Sequence, residues 1–464
     1  MTPAAVYAQP NLLRFICTRM LIVMAMQVQA VALGWFVYAQ TGSALSLGLI
    51  GLAQFLPSIP LLAIAGYAAD HYDRRKVVMA SQSVQAIGAL GLYACVHLMP
   101  AQMLPIYLMA MLIAGARSFS LPATASLLPN IVTREQFPQA VAFSSSSMQF
   151  AAMVGPAIGG FLYAGIGEDI FLALVALPVC AAVLIFTVKA PPAVEAADHG
   201  SAWKKAVAGF SYVRHHQLIL GAMSLDLFAV LLGGVTALLP IFAQDILHVG
   251  PGELGILRSG PTFGALLVGI ALMWLPVNRR AGGTMLWSVV VFGIATIVFG
   301  LSTDFLVSLA ALIVIGGSDM VSLVIRQTMI QMATPDAMRG RVSAVNSVFV
   351  GASNQLGSFE AGVMASLLGA AAAAVVGGFG TLLVVAAIAF YFPDLRKADR
   401  LHGGEKPSVP INENEIASIS GEAEPMAATE QRPEEGERNS RDEVRACVSA
   451  PEAGRSAGPK ALPQ

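Results

Sequence analysis

Charge is scarce in this chain. Only 12% of its 464 residues are Asp, Glu, Lys or Arg, against roughly 25% in a water-soluble domain, while 56% are hydrophobic. Water is thereby excluded as the main solvent of the fold. Cysteine is scarce too. Cys17, Cys95, Cys180 and Cys447 lack paired or metal-ligand spacing, which excludes a disulfide framework and leaves small apolar packing as their role. No glycine-rich loop of the Walker type is present, so ATP is excluded as the direct energy source. No nucleophile beside a base and no cluster of metal ligands occurs, which excludes the usual enzyme classes and leaves no cofactor or metal to expect. Acids and bases balance to a net charge of -1, and nothing in them marks a nucleic-acid partner.

What the chain does have is apolar sequence in long runs. Crossing a hydrocarbon core about 30 Å thick takes about 20 apolar helical residues. Twelve such runs occur, at 12–38, 47–69, 77–97, 103–122, 139–164, 170–188, 218–244, 254–275, 284–301, 305–325, 342–368 and 370–392. The first follows Arg14 and Arg19 in the manner of a secretion signal, but it continues to Tyr38 without a small-residue cleavage site and is read as a retained span. With a cytoplasmic amino terminus, the inner connectors hold Arg74, Arg75, Lys76, Arg134, Lys189, Lys204, Lys205, Arg214, Arg279, Arg280, Arg339 and Arg341, and the outer ones offer little beyond Arg258 at a helix edge. That asymmetry predicts a multi-pass protein of a bacterial cytoplasmic membrane with both termini in the cytoplasm. It also fixes an even span count, since one span more or less would throw the later bases to the wrong side. A monomer in the lipid bilayer is expected.

The connector at 190–217 carries Pro191, Pro192, acids, bases, His215 and His216, and separates a first half at 1–189 from a second at 218–393. Its paired histidines are expected to be solvated, because no acid or cysteine completes a metal site. The halves echo each other: aligning span five with span eleven brings Ala142 to Ala344, Ser145 to Ser347, Gly155 to Gly357 and Gly160 to Gly362. The expected fold class is an all-α membrane protein of twelve transmembrane helices in two six-helix repeats. From 394 to 464 the chain turns rich in Glu, Pro, Ser, Gly and Ala, and a disordered cytoplasmic tail is expected there.

Spans two and three are joined by Gly66-Tyr67-Ala68-Ala69-Asp70-His71-Tyr72-Asp73-Arg74-Arg75-Lys76. Gly-x-x-x-Asp followed by a basic cluster in that loop resembles the signature of the Major Facilitator Superfamily, with Asp73 where a glycine is usual and His71 where an arginine is often found. The resemblance implies that Gly66, Asp70, Arg74 and Arg75 form a conformational latch across the cytoplasmic side of the two halves in the outward-open state. In it Asp70 meets the N-terminus of span eleven near Arg341. In span five, Gly155-Pro156-Ala157-Ile158-Gly159-Gly160 resembles the Gly-Pro-x-x-Gly-Gly element of the exporter branch, with Ala151 at the upstream glycine. Proline removes a backbone donor and glycine admits a close neighbour, so Gly155, Pro156, Gly159 and Gly160 are expected to give a bent, tightly packed gating surface. Leu33-Gly34-Trp35, Gly51-Leu52-Ala53-Gln54-Phe55-Leu56-Pro57 and Arg339-Gly340-Arg341-Val342-Ser343-Ala344-Val345-Asn346 resemble the enterobactin-exporter-like branch. That likeness covers the membrane part and implies export of siderophores or drugs.

Ionisable groups inside the spans cost about 2.5 to 3.5 kcal/mol each at a helix centre, so they must face protein or water. They are Arg19, Arg117, Asp226, Asp319, Arg326 and Glu360. Asp319 and Arg326 share a helix face about 10 Å apart and cannot pair without a third group. Arg117 and Asp319 hold corresponding places in spans four and ten. For Arg19, Arg117 and Arg326, towards the inner ends, snorkelling or a register-fixing pair stands beside a role in the substrate cavity. A buried carboxyl that faces each side in turn can carry a proton, and Asp226 and Glu360, deepest by this assignment, are the first candidates, with Asp319 next. Gln27, Gln29, Gln149, Asn346, Asn354 and Gln355 are either substrate ligands or interhelical hydrogen-bond partners. The reading that absorbs these features is a secondary active exporter of a small molecule coupled to protons, with an uptake symporter of the same fold as the alternative. A sensor or scaffold leaves the latch loop and the intramembrane acids unexplained. Asp70→Asn should impair transport without preventing membrane insertion, because the loop stabilises one conformer rather than forming a span; full transport by a well-expressed variant defeats the latch assignment.

Overall fold

The computed structural model describes residues 9–189, 202–275 and 280–397. The expected tail from 398 onward and residues 190–201 of the connector lie outside the described residues. Every regular element described is helical, as a chain in lipid must satisfy its own backbone groups. The amino half comprises α1 (Pro10–Thr41), α2 (Ala44–Phe55), α3 (Ser58–His71), α4 (Arg74–Leu98), α5 (Met103–Leu127), α6 (Phe137–Ile166) and α7 (Ile170–Thr187). After α8 (Ala202–His215), the carboxyl half comprises α9 (Gln217–Leu232), α10 (Pro251–Trp274), α11 (Ala281–Leu301), α12 (Phe305–Ala333), α13 (Asp336–Leu368), α14 (Ala370–Tyr391) and the short α15 (Pro393–Lys397).

Local chemistry sets the boundaries. Helix α1 opens with Pro10 and stops at Gly42, whose φ of 57° is strained for other residues and whose N–H closes onto the Tyr38 carbonyl. Gly167 (φ 59°) and Gly369 (φ 87°) turn the chain after α6 and α13 in the same way. The run at 47–69 is two helices rather than one. Pro57 cannot donate to the Ala53 carbonyl, and the span divides there into α2 and α3. The run at 218–244 divides as well: α9 ends at Gly233, and the chain continues through a 3₁₀ turn (Val235–Ala237), a single α turn (Leu239–Ile241) and a π turn (Phe242–Ile246). Among the described residues nine stretches are long and apolar enough to cross a membrane. The twelve spans follow once the 137–187 stretch is split at Gly167 into α6 and α7 and two spans too irregular for that test are added: the broken α2–α3, and α13 with its polar stripe.

Two sequence expectations are corrected. The connector at 190–217 is not all loop, because α8 buries Tyr212 and Val213 against Met338 and Val342 of α13. Likewise residues 394–397, expected in the tail, are helical, and α15 seats Leu395 among Ala222 of α9 and Met285 of α11.

Packing repeats between the halves. α1 lies on α6 and α7, and α9 lies on α13 and α14; α4 pairs with α5 and α7, and α11 with α12 and α14. Across the halves there are two main seams, α6 on α10 and α2 on α13. One apolar cluster joins both halves, running from Phe36, Leu47, Tyr163 and Phe171 to Phe242, Leu254 and Ala361, at the end away from the basic loops. At the basic end the clusters separate: Leu12, Val78, Leu127 and Ile185 belong to the amino half, and Met223, Ile330 and Val342 to the carboxyl half. The apolar core thus joins the halves at one end and parts between them at the other.

Glycine makes this packing possible where backbones meet. An added Cβ at Gly316 of α12 would strike the Pro261 backbone of α10, and one at Gly264 the Ile313 carbonyl. Gly316→Val should therefore sharply reduce the yield of monodisperse protein, while Gly351→Val, at a position with nothing within 4 Å, should be tolerated; equal yields would show that α10 and α12 do not touch there.

Candidate transport site

The intramembrane charges gather mainly in the carboxyl half. Asp226 of α9 and Arg326 of α12 form a direct ion pair, with only 6% and 2% of their surfaces exposed. Asp226 is the third group that Arg326 requires. Arg326 therefore does not snorkel to the basic end; it is held in the interior by its partner. Asp319 faces the same small cavity as Asp226, together with Val230, Val289, Phe292 and Ser322. Among the described residues Asp319 makes no hydrogen bond or ion pair, and the Nε of Arg326 is buried without an acceptor. Two carboxyls thus face one pocket, Asp226 paired with Arg326 and Asp319 left over.

Glu360 differs from its expectation. It is only partly buried, one helical turn beyond Gly357, which rests on the Val230 and Leu231 carbonyls of α9. It joins no cluster. In the amino half, Arg117 of α5 donates to the Gln29 side chain of α1 at 3.4 Å, and its Nε is buried with no partner. Arg19 donates to Ser144 of α6 at 2.7 Å and lies over the Phe15 ring.

The polar candidates divide by environment. Gln27 donates to the Ala152 carbonyl of α6 at 3.0 Å, so it ties α1 to α6. Asn354 is exposed and donates within its own helix to Val350 at 2.8 Å. With the exposed Ser343 and Ser347 it lines one stripe of α13. The Oδ1 of Asn346 is buried without a partner. Gln149 is partly exposed.

The span-five glycines sit at two interfaces. Gly155 and Gly159 face Gln27 and Val28 of α1, whereas Gly160 meets Pro251 and Gly255 of α10, whose own neighbour is the Pro156 carbonyl. Helix α6 runs on through Pro156 to Ile166. The second seam is similar, with Gly48 and Gly51 of α2 against Ser358, Phe359 and Gly362 of α13. Beside the seams Tyr38 of α1 donates its hydroxyl to the Asp245 carboxylate, a link between halves that the sequence reading missed. Only the placement of Asp245 just past the apolar run of span seven could have signalled it.

In the loop between α3 and α4 the bases stay in their own half. Arg74 donates to the carbonyls of Ala69 and Ser126 at 3.3 and 3.0 Å, and Arg75 to Asp73 at 2.9 Å and the Val188 carbonyl at 3.0 Å. Asp73, at the position where the signature has glycine, caps α4 by accepting from the Arg75 N–H at 2.9 Å. The Arg75 side chain also holds the Asp73 carboxyl below its ordinary range. An added Cβ at Gly66 meets nothing, and the Asp70 side chain lies outside the described residues.

Removing one partner of a buried pair strands the other. Asp226→Asn should lower stability by about 3–5 kcal/mol, seen as a drop in thermal unfolding temperature in detergent, and adding Arg326→Met should recover most of it. Unchanged unfolding of the single variant would show that the pair is not formed.

Sequence comparisons agree with this architecture. The family described as transmembrane secretion effector matches residues 8–423. The enterobactin exporter EntS of Shigella boydii serotype 18 is 27% identical over 355 residues, covering 76% of this chain and 84% of that protein; the EntS of Citrobacter koseri is also 27% identical over the same length. Among solved structures, the nucleoside transporter NupG superposes with a TM-score of 0.68 at 13% identity, covering 83% of this chain and 99% of that one. A bacterial homologue of the lysosomal transporter Spinster, in its inward-facing and unoccupied conformation, gives 0.63 at 14% identity, covering 84% and 96%. With this fold and a family match over most of its length, the chain belongs to the transmembrane secretion effector family of Major Facilitator Superfamily transporters.

Proposed function

We infer that the protein is a proton-coupled exporter of a small molecule in a bacterial cytoplasmic membrane, with its basic loops and both termini in the cytoplasm. The observation that carries this reading is the pocket shared by Asp226, which is paired with Arg326, and Asp319. The Asp226–Arg326 pair is self-contained, so Asp319 is the carboxyl whose charge can change without stranding a partner. In a low-dielectric pocket that change is felt strongly by both neighbours: ionised, it repels Asp226 and draws on the free edge of Arg326. A proton on Asp319 relieves that competition. Coupling follows if the pocket opens to opposite sides in the two conformers, so that the protonation of Asp319 biases the rocking of the halves. Asp226 and Glu360, the first candidates from sequence, give way to Asp319, because one is committed to Arg326 and the other lies outside the cluster.

Direction rests on the relatives, which are named as exporters. Among the described residues Arg74 and Arg75 bond within their own half, and in the latch reading Gly66 and Asp70 join them across the halves in the opposite conformer.

The test uses proteoliposomes with enterobactin, the cargo named in the related exporters, as the first substrate. Asp319→Asn should lose uphill efflux driven by a pH gradient by tenfold or more while downhill exchange persists, since the amide keeps shape and removes titration. Uphill efflux equal to the parent's places the proton site elsewhere, and a parent indifferent to the gradient overturns proton coupling.

A further inference from the structure

Among the described residues two cations inside the spans, Arg117 and Arg258, have no carboxylate partner. Within residues 9–189 the acids are Asp70, Asp73, Glu135, Glu168 and Asp169, all at helix ends or in turns. Arg117 therefore has no carboxylate in the span interiors of its half. Its orientation follows from its helix. Leu104, Leu108 and Leu112, exposed by 68, 49 and 39%, mark the lipid face of α5, and Arg117 lies half a turn round from them, where it reaches Gln29 of α1. That single long hydrogen bond is its whole complement, with the Nε left unmatched.

A second cation has the same character in the other half. Arg258, placed by the sequence at an outer helix edge, lies seven residues inside α10. Phe263, Leu267, Ile270 and Trp274 form the exposed lipid face of that helix, and Arg258 with Thr262 takes the opposite side, towards the interior between the halves. Among the described residues Arg258 has no hydrogen bond or ion pair. At 1.5 Å per residue, Arg258 stands about 10 Å and Arg117 about 20 Å from the joined end along their helices. The two cations are therefore staggered along the path from the parted end to the seams, one from each half.

A guanidinium kept in the membrane interior costs a few kcal/mol, and its planar fork suits the paired oxygens of carboxylate, phosphate and similar anions. We propose that the cavity between the halves is an organic-anion site in which Arg117 takes the acidic group of the cargo and Arg258 receives it nearer the joined end. This rests on the transporter reading but not on proton coupling. An amphiphilic acid fits, its charged group taken by the two arginines and its apolar part by the span residues around them.

The experiment measures binding to the purified full chain in nanodiscs. The probes are aromatic carboxylates, sulfonates and phosphates, each paired with a neutral amide or ester of the same shape and with an amine. The anions should bind at least tenfold more tightly than their neutral partners, and the amines most weakly. Arg117→Gln should abolish that preference while Arg117→Lys keeps part of it, and Arg258→Gln should reduce it. Asp319→Asn should leave it intact, which separates this assignment from the coupling mechanism. If no anion outbinds its neutral counterpart, including the case in which none binds, the assignment is overturned; so it is if both glutamine variants retain the full preference. Should Arg117→Gln not fold, the parent series together with Arg117→Lys and Arg258→Gln decides in the same terms.

Discussion

The shape of the molecule depends on backbone meeting backbone at two seams. Where Gly160 faces Gly255 and Gly48 faces Gly362, no side chain intervenes, so each seam is a close contact that larger residues would prevent. In lipid such contacts replace the hydrophobic drive that water supplies elsewhere. They are also separable, because each half keeps its own core at the basic end. The opposite end is held by these close backbone contacts together with the apolar cluster that runs through both halves. The Tyr38–Asp245 bond adds a polar contact to the same end, and it too breaks when that end parts.

Charge placement complements this mechanics. The carboxyl half holds the buried acids Asp226 and Asp319, whereas the span interiors of the amino half hold Arg117 with no acid beside it. Arg117 and Asp319 each lie fourteen residues into α5 and α12, counted from Met103 and Phe305. The same place in the repeated fold thus holds a base in one half and an acid in the other, so the repeat of the backbone is not a repeat of charge.

Much of this was legible in the residues. Apolar runs bounded by Gly, Pro and charge located the spans, and the basic connectors fixed their number, because both signals come from the cost of polar groups in hydrocarbon. The repeat between spans five and eleven pointed to the glycine-lined seams. Three features were not legible. The division of span two required knowing that Pro57 interrupts the helix rather than merely bending it. Helix α8 was hidden because its apolar residues are interspersed with Lys204, Lys205, Arg214 and His215 in a stretch that follows Pro191 and Pro192 and reads as a connector. The commitment of Asp226 to Arg326 depends on how α9 and α12 pack, which spacing within either helix does not reveal. Arg258 was passed over because it was counted with a loop, whereas Pro251 at the start of α10 moves the helix boundary outward and the arginine inward.

The break at Pro57 gives span two a character that no other span in the amino half shares. Its outer piece, α2, belongs to a seam, and its inner piece, α3, leads into the basic loop. A continuous helix would transmit any tilt at one end rigidly to the other. A jointed one lets α2 and α3 tilt separately, so a shift at the α2–α13 seam need not be carried into the basic loop, and the seam can be tight without stiffening the whole span.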